Sequence, residues 1–220
     1  MNIREAIRER HSVRQYKAEP ISQEHREKLA DLLSEVNSES GLHIQIIYDE
    51  PACLDSVLAR FSRFRNAENY IAIVGDKSLE DLHERAGYFG EKIVIAAQMM
   101  GLNTCWIGGS FSRRKCEAAI GEGEKLVCII AIGYGLNEGF KHKSKPFAKL
   151  CDIPEEEMPG WFKAGMIAAM MAPTALNMQE FFVELQGEEA LITTNGGAMA
   201  HIDLGIVKYN FEAASGHKCI

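Results

Sequence analysis

The spacing of apolar side chains along the chain predicts a series of helices. At the N-terminus, Asn2 and Glu5 have the spacing of a capping box, and Ile3, Ala6 and Ile7 form a short apolar stripe beside them. The same criteria predict further helices over Ser22–Val36, Pro51–Ser62, Ser78–Met100, Trp161–Ala172 and Met199–Ser215.

Strands are predicted where apolar residues alternate with polar ones, or where short apolar runs are bounded by glycine. The predicted strands are His43–Tyr48, Tyr70–Val74, Thr104–Gly109, Val127–Tyr134 and Phe181–Leu185. The Gly196–Gly197 pair is interpreted as a hairpin or loop turn. Helices and strands mixed in this order favour an α+β fold in which helices flank a mostly antiparallel sheet.

Two of the helical segments resemble each other. Tyr88–Gly101 and Asp203–Gly216 are fourteen-residue segments with glycine at the third and last positions. Each is preceded, at a distance, by a predicted helix and then a predicted strand. This echo indicates a single domain made of two related halves, about 1–153 and 154–220, with a pseudo-twofold axis between them.

Composition is that of an ordinary globular protein. The chain has 220 residues, of which 46% are hydrophobic and 25% charged, enough apolar material for a core. Its net charge of −7 argues against a general nucleic-acid binder, which normally carries a basic face. The N-terminal segment is charged and no apolar run could span a bilayer, so we expect a cytoplasmic protein without a membrane partner.

Several catalytic and metal-binding classes lack their sequence signatures. The six cysteines include no C-x-x-C pair and no H-E-x-x-H segment occurs, so no metal site is predicted and the cysteines are interpreted as reduced thiols. The glycines near residue 196 lack the Lys-Ser or Lys-Thr that ends a P-loop. His11 adjoins Ser12, but adjacent side chains seldom face each other, so no nucleophile and base pair is predicted.

Two basic segments are candidates for binding an anion. Arg10–Arg14 carries two guanidinium groups and the Ser12 hydroxyl just beyond a predicted helix, and such donors suit a phosphate. The second segment, here called the lysine loop, is Lys141–Lys145. Taken alone, each is also compatible with a solvated basic surface, the first because the helix macrodipole favours cations at a C-terminus.

Two further segments suit a flat polar ligand. The Gly108–Gly109 pair ends a predicted strand, where the lack of Cβ atoms lets backbone N–H groups approach a ligand closely. The segment Pro173–Gln179, here called the amide turn, stops a helix at proline and then presents hydroxyl and amide groups. The alternatives are a simple exit from a strand and a helix-capping turn.

Together these segments resemble the FMN-dependent nitroreductase family. The resemblance rests on five motifs that follow in order along nearly the whole chain: Arg-x-Ser-x-Arg, Gly-Leu-x-Thr-Cys-Trp-Ile-Gly-Gly, Ala-Ile-Gly-Tyr, Lys-Ser-Lys-Pro and Ala-Pro-Thr-Ala-x-Asn-x-Gln. It implies a nitroreductase-like fold, FMN as cofactor, and NADH or NADPH as reductant.

The order of these motifs departs from the family pattern. In typical members a Pro-Ser-x-x-Asn turn follows the second helix, whereas this chain has Glu39–His43 there and carries the amide turn in its second half. The chain is therefore similar to a smaller branch of the family, the TM1586 type, in which one chain mimics the homodimer. That similarity implies a monomer acting as a pseudo-dimer with one FMN per chain, and a homodimer stays open.

The resemblance also implies roles for individual residues. It implies phosphate contacts for Arg10, Lys143 and Lys145, and a ribityl or phosphate hydrogen bond for Ser12. Arg14 would lie near the pyrimidine end of the flavin, where positive charge favours the anionic reduced form. The implied cofactor-binding residues are Arg10, His11, Ser12, Arg14, Gly108, Gly109, Lys143, Lys145, Pro173, Thr174, Asn177 and Gln179.

The activity that the resemblance implies is that of a flavin oxidoreductase. Hydride would pass from NADH or NADPH to flavin N5, and two electrons would then pass to a nitroaromatic, a quinone or a similar small molecule. This chemistry requires no catalytic side chain. Two alternatives stay open: a non-catalytic FMN carrier or sensor, for which the replacement of the family's usual Pro-Trp by Glu180-Phe181 leaves room, and a flavin-dependent dehalogenase on the same scaffold.

Overall fold

The computed structural model describes residues 1–55 and 63–220, and two compact units alternate along the sequence. The first unit comprises residues 1–9, 83–95 and 142–220, and the second comprises residues 10–82 and 96–141. The helix predicted over Pro51–Ser62 falls largely outside the described residues, and residues 52–54 form a turn. The two halves predicted from the sequence, about 1–153 and 154–220, describe an internal repeat and are not these compact units. The repeat stays a prediction.

A four-stranded sheet forms the centre of the second unit. Its strands are β1 (Gln45–Ile47), β2 (Tyr70–Asp76), β3 (Asn103–Ile107) and β4 (Glu124–Gly133). They lie in the order β1–β2–β4–β3 and every neighbouring pair is antiparallel. The two middle strands, β2 and β4, are almost entirely buried, which explains why both are visible in the sequence as continuous apolar runs. The predicted antiparallel sheet of an α+β fold is confirmed.

Strand β2 is longer than predicted because Gly75 does not end it. The strand continues to Asp76, with a register shift between Ile73 and Val74 that marks a β-bulge. A glycine inside a strand often accompanies a bulge or a close approach. Here a Cβ on Gly75 would lie 2.6 Å from Leu82 Cδ1, so this glycine makes room for packing.

Helix α2 (Gln23–Ser40), also in the second unit, starts and ends at the residues that local signals favour. Ser22 Oγ accepts a hydrogen bond from the His25 N–H at 3.3 Å, as expected of an N-cap residue. Gly41 ends the helix in the left-handed conformation, with φ +67°, and donates its N–H to Asn37 O. The helix therefore runs past the predicted end at Val36.

Helix α3 (Leu82–Met99) begins later than predicted and ends where predicted. Ser78 does not cap it, because the Ser78 N–H donates to Asp76 Oδ1 within the preceding turn and Asp81 occupies the N-cap. At the other end, Gly101 takes φ +80°, a conformation that favours glycine over residues with a Cβ.

The first unit packs helices α1 (Ile3–Glu9), α4 (Gly160–Ala169) and α5 (Ala198–Ser215) against one another. One buried cluster contains Ala6, Ile7, Ile95, Ala168 and Ala214. The capping box predicted for α1 is confirmed, because the Asn2 N–H donates to Glu5 Oε2 at 2.8 Å and the Glu5 N–H donates to Asn2 Oδ1 at 3.0 Å.

A small hairpin completes this unit. It consists of β5 (Phe182–Gln186) and β6 (Glu189–Thr193), which pair antiparallel. Strand β6 is missing from the sequence prediction. Its hairpin turn is formed by Gly187, with φ +67°, and Glu188, whereas Gly196–Gly197 is a loop that leads into α5, with Gly197 at the N-cap.

The two segments that resemble each other, Tyr88–Gly101 and Asp203–Gly216, cover the C-terminal parts of α3 and α5. These two helices approach each other closely in the first unit. Helices α3 and α5 are each eighteen residues long. A Cβ on Gly87 of α3 would collide with the carbonyl oxygen of Ile202, and a Cβ on Gly205 of α5 would collide with that of Glu84. Glycine at both positions therefore lets the two backbones touch. The pseudo-twofold axis itself stays a prediction.

Three observations concern cysteines, metals and membranes. All six cysteines are free thiols. The described residues contain no group of three or more His, Cys, Asp or Glu side chains that could hold a metal ion. Among the helices of residues 1–55 and 63–220, none combines the length and apolar character needed to cross a bilayer.

Candidate functional site

The Arg10–Arg14 segment runs beside the start of β3 in the second unit. Ser12 forms a parallel bridge with Thr104, and the Val13 N–H donates to Thr104 O at 3.0 Å. Val13 is fully buried in the core cluster of this unit. Because side chains alternate along an extended segment, Ser12 and Arg14 lie on the side opposite Val13. The segment is thus held by backbone pairing and is not a frayed helix end.

The thiol of Cys105 in β3 shows that the charges of this segment are close together. Burial raises the pKa of Cys105, while Arg14, Arg10 and a hydrogen bond with Ser12 oppose the rise. Two guanidinium groups and one hydroxyl therefore act on the same thiol. We call Arg10, Ser12 and Arg14 the cationic cluster.

Two features make the cationic cluster suitable for an anion. Arg14 is exposed and forms no ion pair with any described residue. His11 Nδ1, beside Ser12 in the sequence, is buried and has no hydrogen-bond partner in the described part of the chain. Buried polar atoms nearly always have a partner, so His11 Nδ1 is an atom that a ligand can satisfy.

The Gly108–Gly109 pair, predicted to face a flat ligand, lies at the other end of β3. Strand β3 ends at Ile107 and Gly108 and Gly109 follow directly. A Cβ on Gly109 would meet no atom within 4 Å, so the backbone there is open to a planar ligand. At about 3.3 Å per residue, Gly108 lies roughly 13 Å along the strand from Thr104, the residue that pairs with Ser12.

In the first unit, one buried side chain joins the lysine loop to the amide turn. Gln179 is 3% exposed. Its Oε1 accepts from the Lys145 N–H at 2.8 Å and its Nε2 donates to Lys143 O at 3.0 Å. Asn177 Nδ2 donates to the same Lys143 carbonyl at 2.9 Å. The two sequence motifs are therefore one structural piece, and Gln179 positions the lysine loop.

The three lysine side chains of that loop, Lys141, Lys143 and Lys145, are exposed. Lys143 forms no ion pair within the described residues, and Lys145 Nζ donates to Gln179 O at 3.2 Å. Ser144 between them is fixed by donating its hydroxyl to Met170 O at 2.8 Å. Side-chain amides thus fix the backbone of the loop and leave its ammonium groups available to an anion.

The amide turn has an unusual backbone. Leu176, Asn177 and Gln179 have φ of +51°, +57° and +49°, a region that costs energy for residues with a Cβ and that clusters at ligand-binding sites. Thr174 stabilises this conformation, since its Oγ1 accepts from the Gln179 N–H at 3.1 Å and its carbonyl accepts from the Asn177 N–H at 2.9 Å. Leu176 is left 95% exposed.

Asp203 of α5 holds the start of the amide turn, and the sequence analysis missed it. Both carboxylate oxygens accept from the Ala175 N–H, at 3.0 and 2.9 Å. Burial, helped by the nearby Glu180, raises the pKa of Asp203 to about 6, although the Ala175 N–H opposes the rise. The one available signal was an acidic residue between the apolar Ile202 and Leu204.

We expect Asp203 to make folding stability depend on pH. Its pKa is higher in the folded protein than in the unfolded chain, so its contribution is fully present below about pH 4 and is lost as pH rises through about 6. Replacing Asp203 with Asn removes this titration. The free energy of unfolding of wild type relative to Asp203→Asn should therefore fall by about 2–3 kcal/mol between about pH 4 and pH 7, measured by urea denaturation.

The control for this measurement is Asp31→Asn, which changes an exposed aspartate on α2. It should leave the pH dependence of wild type unchanged. A stability difference between wild type and Asp203→Asn that stays constant over the same pH range would contradict the assignment.

Each compact unit contains half of the predicted cofactor-binding residues. The second unit contains Arg10, His11, Ser12, Arg14, Gly108 and Gly109, and the first contains Lys143, Lys145, Pro173, Thr174, Asn177 and Gln179. Within the first unit, the side chains of Thr174, Asn177 and Gln179 hydrogen-bond to protein atoms. Contact of all these residues with a cofactor stays a prediction.

Solved structures share this fold. The chain is similar to a putative nitroreductase from Thermotoga maritima, with a TM-score of 0.71 and 23% identity over 99% of this chain and 87% of that chain. It is similar to a putative nitroreductase in complex with FMN from Desulfovibrio desulfuricans, with a TM-score of 0.55 and 21% identity over 71% and 98% of the two chains. It is also similar to an FMN-dependent nitroreductase from Clostridium difficile, with a TM-score of 0.51 and 20% identity over 70% of this chain and 96% of that chain.

Sequence comparison adds the family. No curated protein matches the chain. The family model described as "Putative TM nitroreductase" matches residues 2–215, which is nearly the whole chain and confirms the resemblance seen in the motifs. This protein therefore belongs to that nitroreductase family.

Proposed function

We propose that this protein binds FMN and is a flavin oxidoreductase that takes hydride from NADH or NADPH and passes two electrons to a nitroaromatic, a quinone or a similar small molecule. Family membership supports the proposal, as does a fold shared with one protein solved with FMN and another named as FMN-dependent. The observation that carries it is the cationic cluster, with His11 Nδ1 buried and without a partner among the described residues.

The donors present in each unit fit FMN in kind. Guanidinium and hydroxyl donors of the cationic cluster match phosphate oxygens, and the open backbone at Gly109 admits a planar ring. The lysine loop adds exposed ammonium groups, among them those of Lys143 and Lys145, on a fixed backbone. We assign Arg10, Ser12, Lys143 and Lys145 to the phosphate, Arg14 to the pyrimidine end, and Gly108 and Gly109 to the ring edge.

When bound, FMN would supply the hydride and electron chemistry, which no amino-acid side chain provides. The residues of this chain bind and orient it. Arg14, which forms no ion pair within the described chain, would stabilise negative charge at the pyrimidine end. No side chain is assigned a proton transfer or a covalent step.

Mixing the purified protein with NADH or NADPH without oxygen tests this function. We expect a yellow protein with one FMN per chain, whose visible absorbance is lost on mixing and returns when a nitroaromatic or a quinone is added. Both the bleaching and the recovery follow from hydride entering and electron pairs leaving the same flavin. Stopped-flow absorbance measures both steps, and the FMN released by denaturation gives the stoichiometry.

Oxidised NAD is the control, because it stacks like the reductant but carries no hydride. If the flavin stays oxidised with both NADH and NADPH, the oxidoreductase proposal is contradicted and a non-catalytic FMN carrier or sensor is favoured. A colourless protein that takes up no added FMN would overturn both proposals together.

A further inference from the structure

Two cysteines that are far apart in the sequence meet inside the second unit. Cys116 packs against the core cluster that contains Cys53, and each thiol shifts the pKa of the other. The hydroxyl of Tyr70 accepts a hydrogen bond from the Glu117 N–H at 2.9 Å and influences the pKa of both thiols. The result is a compact group of two thiols and one phenol that plays no part in the proposed flavin site.

The two thiols differ in exposure. Cys53 is 0% exposed and belongs to the core cluster of this unit, whereas Cys116 packs against that cluster and is partly exposed. Cys116 is therefore the thiol of the pair that lies nearer to solvent. Cys116 is therefore placed to react first with a molecule from solvent, and the buried Cys53 is placed to react with Cys116 afterwards.

The two thiols also differ in acidity. The hydrogen bond from Cys53, followed by the Ala118 N–H and Tyr70, lowers the pKa of Cys116, although partial burial and Glu117 oppose the change. The hydrogen bond to Cys116, burial and Glu50 raise the pKa of Cys53. Of the two thiols, Cys116 is therefore the one whose thiolate is favoured, and Cys53 is the one whose neutral form is favoured.

The backbone already holds the two segments together. The Ser112 N–H donates to Cys53 O at 2.9 Å, and the short 3₁₀ turn Arg113–Lys115 leads from Ser112 directly to Cys116. That turn is fixed to β4, since Arg113 donates to the carbonyls of Leu126 and Val127. These hydrogen bonds hold the segments that carry Cys53 and Cys116 beside each other.

We propose that Cys116 and Cys53 form a peroxide-reactive thiol pair that closes to a reversible disulfide. The Cys116 thiolate attacks a hydroperoxide, the O–O bond breaks, and a sulfenic acid and hydroxide or alkoxide result. The Cys53 thiol then attacks the sulfenic sulfur, the S–O bond breaks, and water leaves with the Cys53 proton. The two thiols lose two electrons and the hydroperoxide gains them.

The other cysteines lack these features. Burial raises the pKa of Cys105, Cys128, Cys151 and Cys219, which disfavours their thiolates. The chemistry is therefore expected to be specific to Cys53 and Cys116.

Treatment of the full-length protein with a small excess of hydrogen peroxide, followed by peptide mapping without reductant, tests the proposal. We expect a Cys53–Cys116 disulfide, a mass lower by two hydrogens, and recovery of both thiols with dithiothreitol. In Cys53→Ser, a sulfenic acid should accumulate at Cys116 and be trapped by dimedone. In untreated protein, Cys116 should be alkylated by iodoacetamide at about pH 7 at least about tenfold faster than Cys219.

The matched control is Cys128→Ser, which changes a buried cysteine outside the pair and should still form the disulfide. Because the first readout uses the wild-type protein, it does not depend on any variant folding. Cys116 that stays a thiol, or that proceeds to sulfinic acid while Cys53 stays reduced, would overturn the proposal. None of these readouts depends on flavin, so the outcome is independent of the proposed function.

Discussion

Replacing Arg10 and Lys145 together with alanine is expected to give protein that purifies almost free of FMN. Both residues are assigned to the phosphate, Arg10 from the cationic cluster and Lys145 from the lysine loop. A hydrogen bond to a charged group contributes about 1.5–3 kcal/mol. Loss of two such contacts should weaken FMN binding by about two to four orders of magnitude. The ratio of flavin to protein absorbance and an FMN titration measure the effect.

A second double variant, Arg8→Ala with Lys149→Ala, controls for the loss of two positive charges. Both residues are exposed and neither belongs to the assigned site, so FMN content should stay that of wild type. Because Arg10 is only 4% exposed, its removal also perturbs packing, and circular dichroism checks that the variant is folded. Lys145→Ala alone, at an exposed residue, provides a milder version of the same test. Full FMN content in a folded Arg10→Ala, Lys145→Ala variant would contradict the assignment of these residues to the phosphate.

Signals that act within a few residues predicted several of the helix ends correctly. Ser22 as N-cap and the capping box of Asn2 with Glu5 are both observed, because a cap needs only residues three positions away. Glycines 101 and 216 end α3 and α5 in the left-handed conformation, which needs only the missing Cβ. These helix ends could therefore be derived from sequence, whereas the predicted end of α2 at Val36 and the predicted start of α3 at Ser78 were wrong.

Sheet boundaries were predicted less well, since they depend on partners far along the chain. Gly75 was interpreted as the end of a strand, but pairing with β4 carries β2 through it. Strand β6 was missed although its residues alternate between buried and exposed, because the turn was sought at Gly196–Gly197 and lies at Gly187. Glycine alone does not distinguish a hairpin turn from a helix cap.

The candidate site shows the same division. The motifs themselves were visible, since each is local, and the family match agrees with them. The positioning roles of Gln179 and Asp203 could not be predicted from the sequence. Gln179 is hydrogen-bonded to a residue thirty-four positions away, and Asp203 is hydrogen-bonded to one twenty-eight positions away. The contact between Cys53 and Cys116 was hidden for the same reason, as no C-x-x-C spacing announces it.

Gly205→Ala is expected to destabilise the protein severely, although alanine favours helices more than glycine by about 0.5–1 kcal/mol. The new Cβ would collide with the backbone carbonyl of Glu84 and would lie 2.6 Å from the Tyr88 nitrogen. Backbone atoms inside a helix cannot move aside as the end of a flexible side chain can. Overpacking of a rigid core costs about 1–3 kcal/mol and occasionally more, so we expect a net loss near the upper part of this range.

Gly160→Ala provides the matched control, because Gly160 also lies in a helix and a Cβ there would meet nothing within 4 Å. The control should be neutral or slightly stabilising, by a few tenths to about 1 kcal/mol. For a chain of this size, a loss of about 3 kcal/mol lowers the midpoint of thermal unfolding by roughly 6–12 °C. Differential scanning calorimetry of the two variants beside wild type measures this difference. If Gly205→Ala unfolds at the same temperature as Gly160→Ala, then α3 and α5 do not approach as closely as the surroundings of Gly87 and Gly205 imply.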